Sequence, residues 1–200
     1  MIILGITGPT GAGKTTALNA LRAVGAAVID CDAVYHELLA GCDAMLEELR
    51  ARYGEGIFTS HGALDRKALG AIVFADEQAL ADLNAITHRY ISAEVDRRIT
   101  LAREEGRPAA AVDAIALIES GLAGRCHCTV AVTAPDEVRV RRIMARDGIG
   151  EEYARLRIAA QKPVSYFEEH CDYTLSNAGD DPQVFFDRAL ELFQNIIAIA

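Results

Sequence analysis

The sequence predicts an α/β fold in which a parallel five-stranded sheet is flanked by helices. Five short apolar runs alternate with longer segments in which apolar residues recur at helical spacing. Such alternation is typical of strands joined by helical crossovers, which place neighbouring strands parallel to one another. The predicted strands cover residues 2–6, 28–30, 109–113, 129–133 and 172–175.

Helical patterns fill most of the chain between and after these strands. The predicted helices cover residues 15–24, 33–39, 43–53, 65–74, 76–103, a stretch that starts at residue 136, 151–161 and 181–199. The segment from 33 to 103 contains no convincing strand and is too long for a simple crossover. We therefore expect a helical insertion beside the sheet, which would bind an acceptor substrate.

A phosphate-binding motif follows the first predicted strand and precedes the first predicted helix. Residues 8–15 match G-x-x-x-x-G-K-[ST], the pattern of the P-loop. Its glycines aim backbone N–H groups at an anion, its lysine reaches the β- and γ-phosphates, and the threonine hydroxyl can ligate Mg²⁺. The predicted nucleotide-binding residues of this loop are Gly8, Gly11, Ala12, Gly13, Lys14, Thr15 and Thr16. The alternative is a glycine-rich turn that binds nothing.

The composition excludes several classes of protein. The 200 residues suit one domain, and a net charge of −9 argues against a general binder of nucleic acid or membrane surfaces. No run approaches the roughly 20 apolar residues of a membrane span, and no basic segment precedes the first strand, so we expect no signal peptide. Five cysteines at irregular spacing, with Cys126 and Cys128 lacking a second ligand pair, favour reduced thiols over a disulfide framework or a zinc site. We expect a cytoplasmic protein.

Two carboxylates follow predicted strands, at the edge of an open parallel sheet where ligands bind. Asp32 can orient an acceptor hydroxyl and accept its proton, and it can also cap the helix predicted from residue 33. Asp113 ends an apolar strand, where an acid can orient Mg²⁺ or its water shell. The alternative for Asp113 is a turn-forming role.

Six arginines lie between residues 139 and 157 of an otherwise acidic chain. At least one is expected to neutralise a transferring phosphoryl group, and the alternative is a solvated helix face balanced by nearby acids. Gly148, Gly150 and the Lys162-Pro163 pair bracket the predicted helix 151–161, which suggests a lid. His88 can contact a phosphate or ribose, but a solvated helix face is the stronger interpretation there.

The chain resembles the dephospho-coenzyme A kinase family over nearly its whole length. The resemblance rests on residues 5–8 with 13–16, 28–32, 62–69 with 73–74, 83–88, 142 with 146–148, 157–161, and 172 with 177. The G-x-L-D-R-x-x-L stretch at 62–69 and the Arg-Ile-x-x-Gln segment at 157–161 are more specific than the P-loop.

The resemblance implies a P-loop NTPase-type kinase fold that phosphorylates the ribose 3′-hydroxyl of dephospho-CoA with ATP and Mg²⁺. The implied organisation is a core at 1–32, 104–147 and 171–200, a helical CoA-binding insertion at 33–103, and a lid at 148–170. The implied catalytic residues are Asp32, Lys14 and Arg142. ATP would also contact Arg146 and Asn177; dephospho-CoA would contact Asp32, His88 and Arg157; Mg²⁺ would contact Thr15 and Asp113.

The chain departs from the family's pattern in three places. Arg89 replaces a usual proline, residues 114–118 replace a usual Pro-Leu-Leu-Phe, and Phe167 replaces a frequent basic residue. All three bear on the acceptor side. Two other functions are therefore kept as alternatives: a kinase for another small hydroxyl acceptor, and a non-catalytic nucleotide-binding module. A monomer or a small homo-oligomer is expected.

Overall fold

The computed structural model describes residues 1–179 and 181–199. The chain divides into two compact units. One, which we name the core unit, comprises Met1–Ile29 and Ile99–Ala200; the other, the helical unit, comprises Asp30–Arg98.

A five-stranded sheet forms the centre of the core unit, with the strand order β2-β3-β1-β4-β5. The strands are β1 (Ile2–Thr7), β2 (Ala27–Asp30), β3 (Ala109–Asp113), β4 (Cys128–Thr133) and β5 (Tyr173–Ser176). β1 pairs in parallel with β3 and β4, and β4 pairs in parallel with β5. The predicted α/β fold with a parallel five-stranded sheet is confirmed.

Nine helices are present in the described residues, together with two short 3₁₀ segments at Glu55–Ile57 and Leu122–Arg125. They are α1 (Lys14–Ala23), α2 (Cys31–Gly41), α3 (Asp43–Tyr53), α4 (Arg66–Val73), α5 (Glu77–Glu104), α6 (Asp136–Asp147), α7 (Glu151–Ala159), α8 (Val164–His170) and α9 (Pro182–Ile199). Helix α8 was not predicted. It lies directly after Pro163, and it buries Phe167, whose exposed fraction is 3%.

The start of α2 corrects one interpretation of Asp32. The helix begins at Cys31, and the Asp30 carboxylate caps it by accepting hydrogen bonds from the N–H groups of Asp32 and Ala33 at 2.9 and 3.0 Å. The capping role considered for Asp32 is therefore wrong. Its side chain lies exposed in the first turn of the helix.

The apolar core of the core unit packs on β1, all six residues of which are buried. Helices α1 and α9 cover the sheet through small and aromatic side chains, among them Ala17, Leu21, Ala189 and Phe193. This packing places the end of β1, and the loop that follows it, on a rigid support. No helix in the described part of the chain has the length and apolar character needed to cross a membrane.

The helical unit has a separate apolar cluster. Met45, Leu49 and Ile57 are fully buried in it, and side chains from α4 and α5 pack against them. Asp65 caps α4 by accepting from the N–H groups of Lys67 and Ala68. The unit therefore holds its helices together by its own packing.

Candidate active site

The glycine-rich loop between β1 and α1 has a backbone that only glycine adopts easily. Gly8, Gly11 and Gly13 have φ angles of +143°, +82° and +104°. A Cβ atom at Gly8 would lie 2.1 Å from the Val132 carbonyl oxygen, and one at Gly13 would lie 2.2 Å from Nδ2 of Asn177. The loop therefore needs glycine both for its φ angles and for its close approach to neighbouring backbone and side chain.

The loop ends at the N-terminus of α1, where Gly13 occupies the N-cap position and supplies no side-chain cap. The first N–H groups of that helix, together with the positive end of its dipole, form an anion-binding site. A cavity of about 370 Å³ lies here, lined by the loop residues, the exposed Thr15, Ile115, Arg142 and Arg146. Its lining by Lys14, Arg142 and Arg146 suits a negatively charged phosphate chain.

Lys14 and Asp113 form an ion pair inside this site. The Lys14 Nζ lies 2.7 Å from Oδ1 of Asp113, and the two side chains are only 18% and 12% exposed. The pair forms because β1 and β3 are adjacent, with Ile6 in register with Asp113. The structure therefore brings together the predicted phosphate-binding lysine and the predicted metal-orienting carboxylate.

The donor set fits Mg²⁺ held mainly by substrate. Among the described residues, no group of three or more His, Cys, Asp or Glu side chains could hold a metal ion. Magnesium in phosphoryl-transfer sites is bound by one or two protein oxygens together with phosphate oxygens and water. Thr15 and Asp113 can supply a hydroxyl and a carboxylate of this kind.

Arg142 connects the loop to the segment that follows β5. Its guanidinium donates to the carbonyl of Gly179 at 2.8 Å and to the side-chain oxygen of Asn177 at 3.1 Å. Asn177 in turn donates from Nδ2 to the carbonyl of Ala12 at 2.9 Å. Arg142 also lines the phosphate cavity. The predicted catalytic arginine and the predicted ATP-contacting asparagine thus lie at the loop.

Three other arginines each pair with carboxylates. Arg146 donates to both oxygens of Asp147, and Arg157 donates to the same carboxylate. Hydrogen bonds from Arg146 and then Arg157 lower the pKa of Asp147 to about 2. Arg155 pairs with Glu137 and Glu151. In this structure these three arginines pair with acids, whereas Arg142 contacts the loop; Arg146 also lines the phosphate cavity.

Two residues near the loop, Arg139 and Gln161, had no individual role predicted from the sequence. Arg139 is almost completely buried, with 1% of its surface exposed, although arginine is rarely buried. It contacts Thr10 of the loop and Gln161. The only signal in the sequence was that both residues lie in stretches already singled out, the arginine cluster and the 157–161 segment.

The remaining predicted residues, Asp32 and His88, lie in the helical unit. Asp32 is exposed, and burial lowers the pKa of the half-buried His88. Arg89, one of the three departures from the family pattern, donates to Glu48, which also accepts from the Tyr90 hydroxyl. This pairing supports a structural role for Arg89.

Known proteins similar to this chain are dephospho-CoA kinases. A family model described as dephospho-CoA kinase matches residues 2–183. The dephospho-CoA kinase of Geobacter sulfurreducens is 38% identical over 179 residues, which cover 90% of this chain and 91% of that protein.

Solved structures show the same fold. A crystal structure of a Thermus thermophilus protein is 34% identical, with a TM-score of 0.77 over 97% of this chain and 96% of the other. The dephospho-CoA kinase from Campylobacter jejuni is 23% identical, with a TM-score of 0.71 over 98% of this chain and 97% of that one. The family model and the Geobacter sulfurreducens relative confirm the resemblance inferred from the sequence: the chain belongs to the dephospho-CoA kinase family.

Proposed function

We propose that this chain transfers the γ-phosphoryl group of ATP to the ribose 3′-hydroxyl of dephospho-CoA. The observation that carries the proposal is the glycine-rich loop with its Lys14–Asp113 pair, in a chain that belongs to this kinase family. A loop that presents inward N–H groups, a lysine and a hydroxyl can hold the triphosphate for transfer.

On the donor side, Lys14 turns from Asp113 to the β- and γ-phosphates. Asp113 and Thr15 would hold Mg²⁺, which would supply neutralisation of phosphate charge and orientation of the transferring group. Arg142, at the edge of the phosphate cavity, stabilises negative charge on the phosphoryl oxygens. Arg146 and Asn177 contact ATP in the same proposal.

On the acceptor side, Asp32 orients the 3′-hydroxyl and accepts its proton as the new O–P bond forms and the bond to the ADP oxygen breaks. Because Asp30 caps the helix, the Asp32 carboxylate is not used for capping. His88 and Arg157 contact dephospho-CoA. In this proposal residues 33–103 form the CoA-binding insertion, residues 148–170 form the lid, and the core comprises residues 1–32, 104–147 and 171–200.

Two further parts of the proposal concern the protein in the cell. The cysteine pattern of the sequence supports a cytoplasmic location, and a monomer or small homo-oligomer is proposed. Size-exclusion chromatography with light scattering measures the second point directly.

The test is an assay of ADP release from ATP and Mg²⁺, with and without dephospho-CoA. A rate that depends on dephospho-CoA is expected, and Asp32→Asn is expected to lower kcat at least 100-fold because the proton acceptor is lost. Asp43→Asn is the matched control, since Asp43 is also exposed in the first turn of a helix.

Each other outcome identifies an alternative. ATP consumption with a different hydroxyl compound and not with dephospho-CoA would indicate another acceptor. ATP binding without transfer to any acceptor would indicate a nucleotide-binding module. Turnover of Asp32→Asn within a few-fold of the unmodified chain would refute the assignment of the base.

A further inference from the structure

Three hydrogen bonds hold Thr10, at the tip of the glycine-rich loop, to residues that do not belong to the loop. The Thr10 N–H donates to Oε1 of Gln161 at 3.1 Å, and its carbonyl accepts from Nε of Arg139 at 3.0 Å. Its hydroxyl accepts from Nε2 of Gln161 at 2.7 Å. The backbone donor, the backbone acceptor and the side chain of this residue are thus all engaged.

The arginine and the glutamine are also bonded to each other. Nη2 of Arg139 donates to Oε1 of Gln161 at 2.9 Å, and Nη1 donates to Asp136 at 2.8 Å. We name Arg139, Gln161 and Thr10 the loop latch. The Asp136 side chain is 62% exposed, so the carboxylate that pairs with this buried guanidinium lies mostly in water.

The latch fixes a peptide whose orientation matters for phosphate. The Ala12 N–H donates to the Pro9 carbonyl at 3.2 Å, so residues 9–12 form a turn whose third residue is Gly11, with a φ of +82°. A positive φ at that position is the type II form, and the type I form differs mainly by a flip of the central peptide. Glycine permits both forms, so another contact must select one.

Arg139 contacts the peptide that the two forms orient differently. The central peptide of the turn joins Thr10 to Gly11, and the described chain contains no cis peptide bond. In a planar trans peptide the C=O and N–H groups point in opposite directions. Since Arg139 holds the Thr10 carbonyl on its own side, the Gly11 N–H is directed away from Arg139.

The residues of the loop latch line two different cavities. Thr10 and Gly11 line the cavity of about 370 Å³ at the loop, whereas Arg139 and Gln161 line a separate cavity of about 620 Å³. Arg139 therefore contacts the loop but is not among the residues that line the phosphate cavity. Burying a charge is unfavourable unless the charge is paired and hydrogen-bonded, and Arg139 meets this condition through its bonds to Asp136, Thr10 and Gln161.

We propose that Arg139 and Gln161 are positioning residues for the phosphoryl donor, which hold the peptide between Thr10 and Gly11 in the orientation that binds the triphosphate. Neither residue touches ATP in this proposal. It rests on ATP binding at the glycine-rich loop, which is part of the proposed function, but it does not depend on the identity of the acceptor.

The test is the affinity of the full chain for ATP with excess Mg²⁺, measured by isothermal titration calorimetry in Gln161→Leu and Arg139→Met. Both variants are expected to bind ATP at least tenfold more weakly, while the KM for dephospho-CoA stays within twofold. Matched controls are Gln183→Leu and Arg155→Met, which remove exposed side chains that bond Asp187 and Glu137 respectively. Their affinity for ATP is expected to stay within twofold of the unmodified chain.

A second measurement follows the hydrogen bond between the Thr10 N–H and Gln161. Hydrogen exchange of the Thr10 amide, measured by NMR, is expected to accelerate at least tenfold in Gln161→Leu because its acceptor is gone. If Arg139→Met does not fold, the ATP affinity of Gln161→Leu alone decides the test.

A folded Gln161→Leu variant that binds ATP within twofold of the unmodified chain would overturn the proposal, whatever its melting temperature. An equal loss in the control variants would overturn it too. An unmodified chain that binds ATP but does not phosphorylate dephospho-CoA refutes the proposed acceptor, and the latch is still judged by ATP affinity. A chain that binds no ATP refutes both.

Discussion

Replacing Asp113 by asparagine is expected to change metal-free ATP binding and catalysis in opposite directions. In the absence of nucleotide, Asp113 holds the Lys14 ammonium at 2.7 Å. ATP without metal must draw the lysine away from this carboxylate, and the negatively charged phosphates also approach Asp113. The Asp113→Asn variant removes both obstacles, but it also removes the carboxylate proposed to hold Mg²⁺.

The size of the effect follows from the burial of the pair. Breaking a fully buried ion pair costs about 3–5 kcal/mol, and an exposed pair contributes about 0–1 kcal/mol. With side chains 18% and 12% exposed, the Lys14–Asp113 pair lies between these limits, at about 2 kcal/mol. Since about 1.4 kcal/mol corresponds to tenfold in affinity, metal-free ATP is expected to bind about tenfold to thirtyfold more tightly to Asp113→Asn.

The assay is calorimetric titration with ATP in EDTA and again with excess Mg²⁺, followed by kcat with dephospho-CoA. The expected pattern is tighter binding in EDTA, little or no gain from Mg²⁺, and a kcat at least 100-fold lower. Asp187→Asn, on the exposed face of α9, controls for the loss of one negative charge. Weaker binding of ATP to Asp113→Asn in EDTA would refute the reasoning, because the carboxylate would then be assisting the lysine and not competing for it.

Three other perturbations test the loop, the core and the arginine pairing. Gly13→Ala is expected to weaken ATP binding at least tenfold in calorimetry, because its Cβ would lie 2.2 Å from Nδ2 of Asn177 at a φ of +104°; unchanged affinity would contradict this. Phe193→Ala, in the fully buried contact between α9 and α1, is expected to lower the free energy of unfolding in urea by about 3–5 kcal/mol, and a loss under 1 kcal/mol would contradict the packing. Asp147 has a pKa of about 2 when folded, below its usual value, so its stabilising effect is present above about pH 4 and is lost as the pH falls towards 2. Melting temperatures between pH 6 and pH 2 should therefore fall less steeply in Asp147→Asn, and parallel curves would contradict the pairing.

The sequence was sufficient for features that local physics determines. The first strand is an uninterrupted apolar run, and the loop after it has glycines where the φ angles are positive, so both were predicted at the correct place. Asp65 opens the predicted helix 65–74, and a carboxylate at such a position usually acts on the first turn, as it does here. In each case the residues that decide the structure are neighbours in the sequence.

Predictions failed or remained open where distant residues decide. Helix α8 is seven residues long and follows a proline, so its pattern is weak, and it is stabilised by burying Phe167 in the core unit. Asp30 and Asp32 are equally good caps by composition, and only the position at which the helix starts separates them. The sequence could not show which arginine of the cluster pairs with Asp147, which with Glu137 and which contacts the loop. These pairings depend on where α7 packs on α6.

The glycine-rich loop shows why a motif found in a sequence does not by itself describe a working site. Its glycines make the required backbone accessible, but residues far along the chain contact the loop: Gly8 lies against Val132, Lys14 pairs with Asp113, and Thr10 bonds to Gln161. These contacts form only when the sheet and the helices after β4 have assembled. A substitution far from the motif in the sequence can therefore change nucleotide binding while leaving the motif intact. Gln161→Leu and Asp113→Asn separate two such contributions, since one acts on the orientation of a peptide and the other on the charge that the lysine faces.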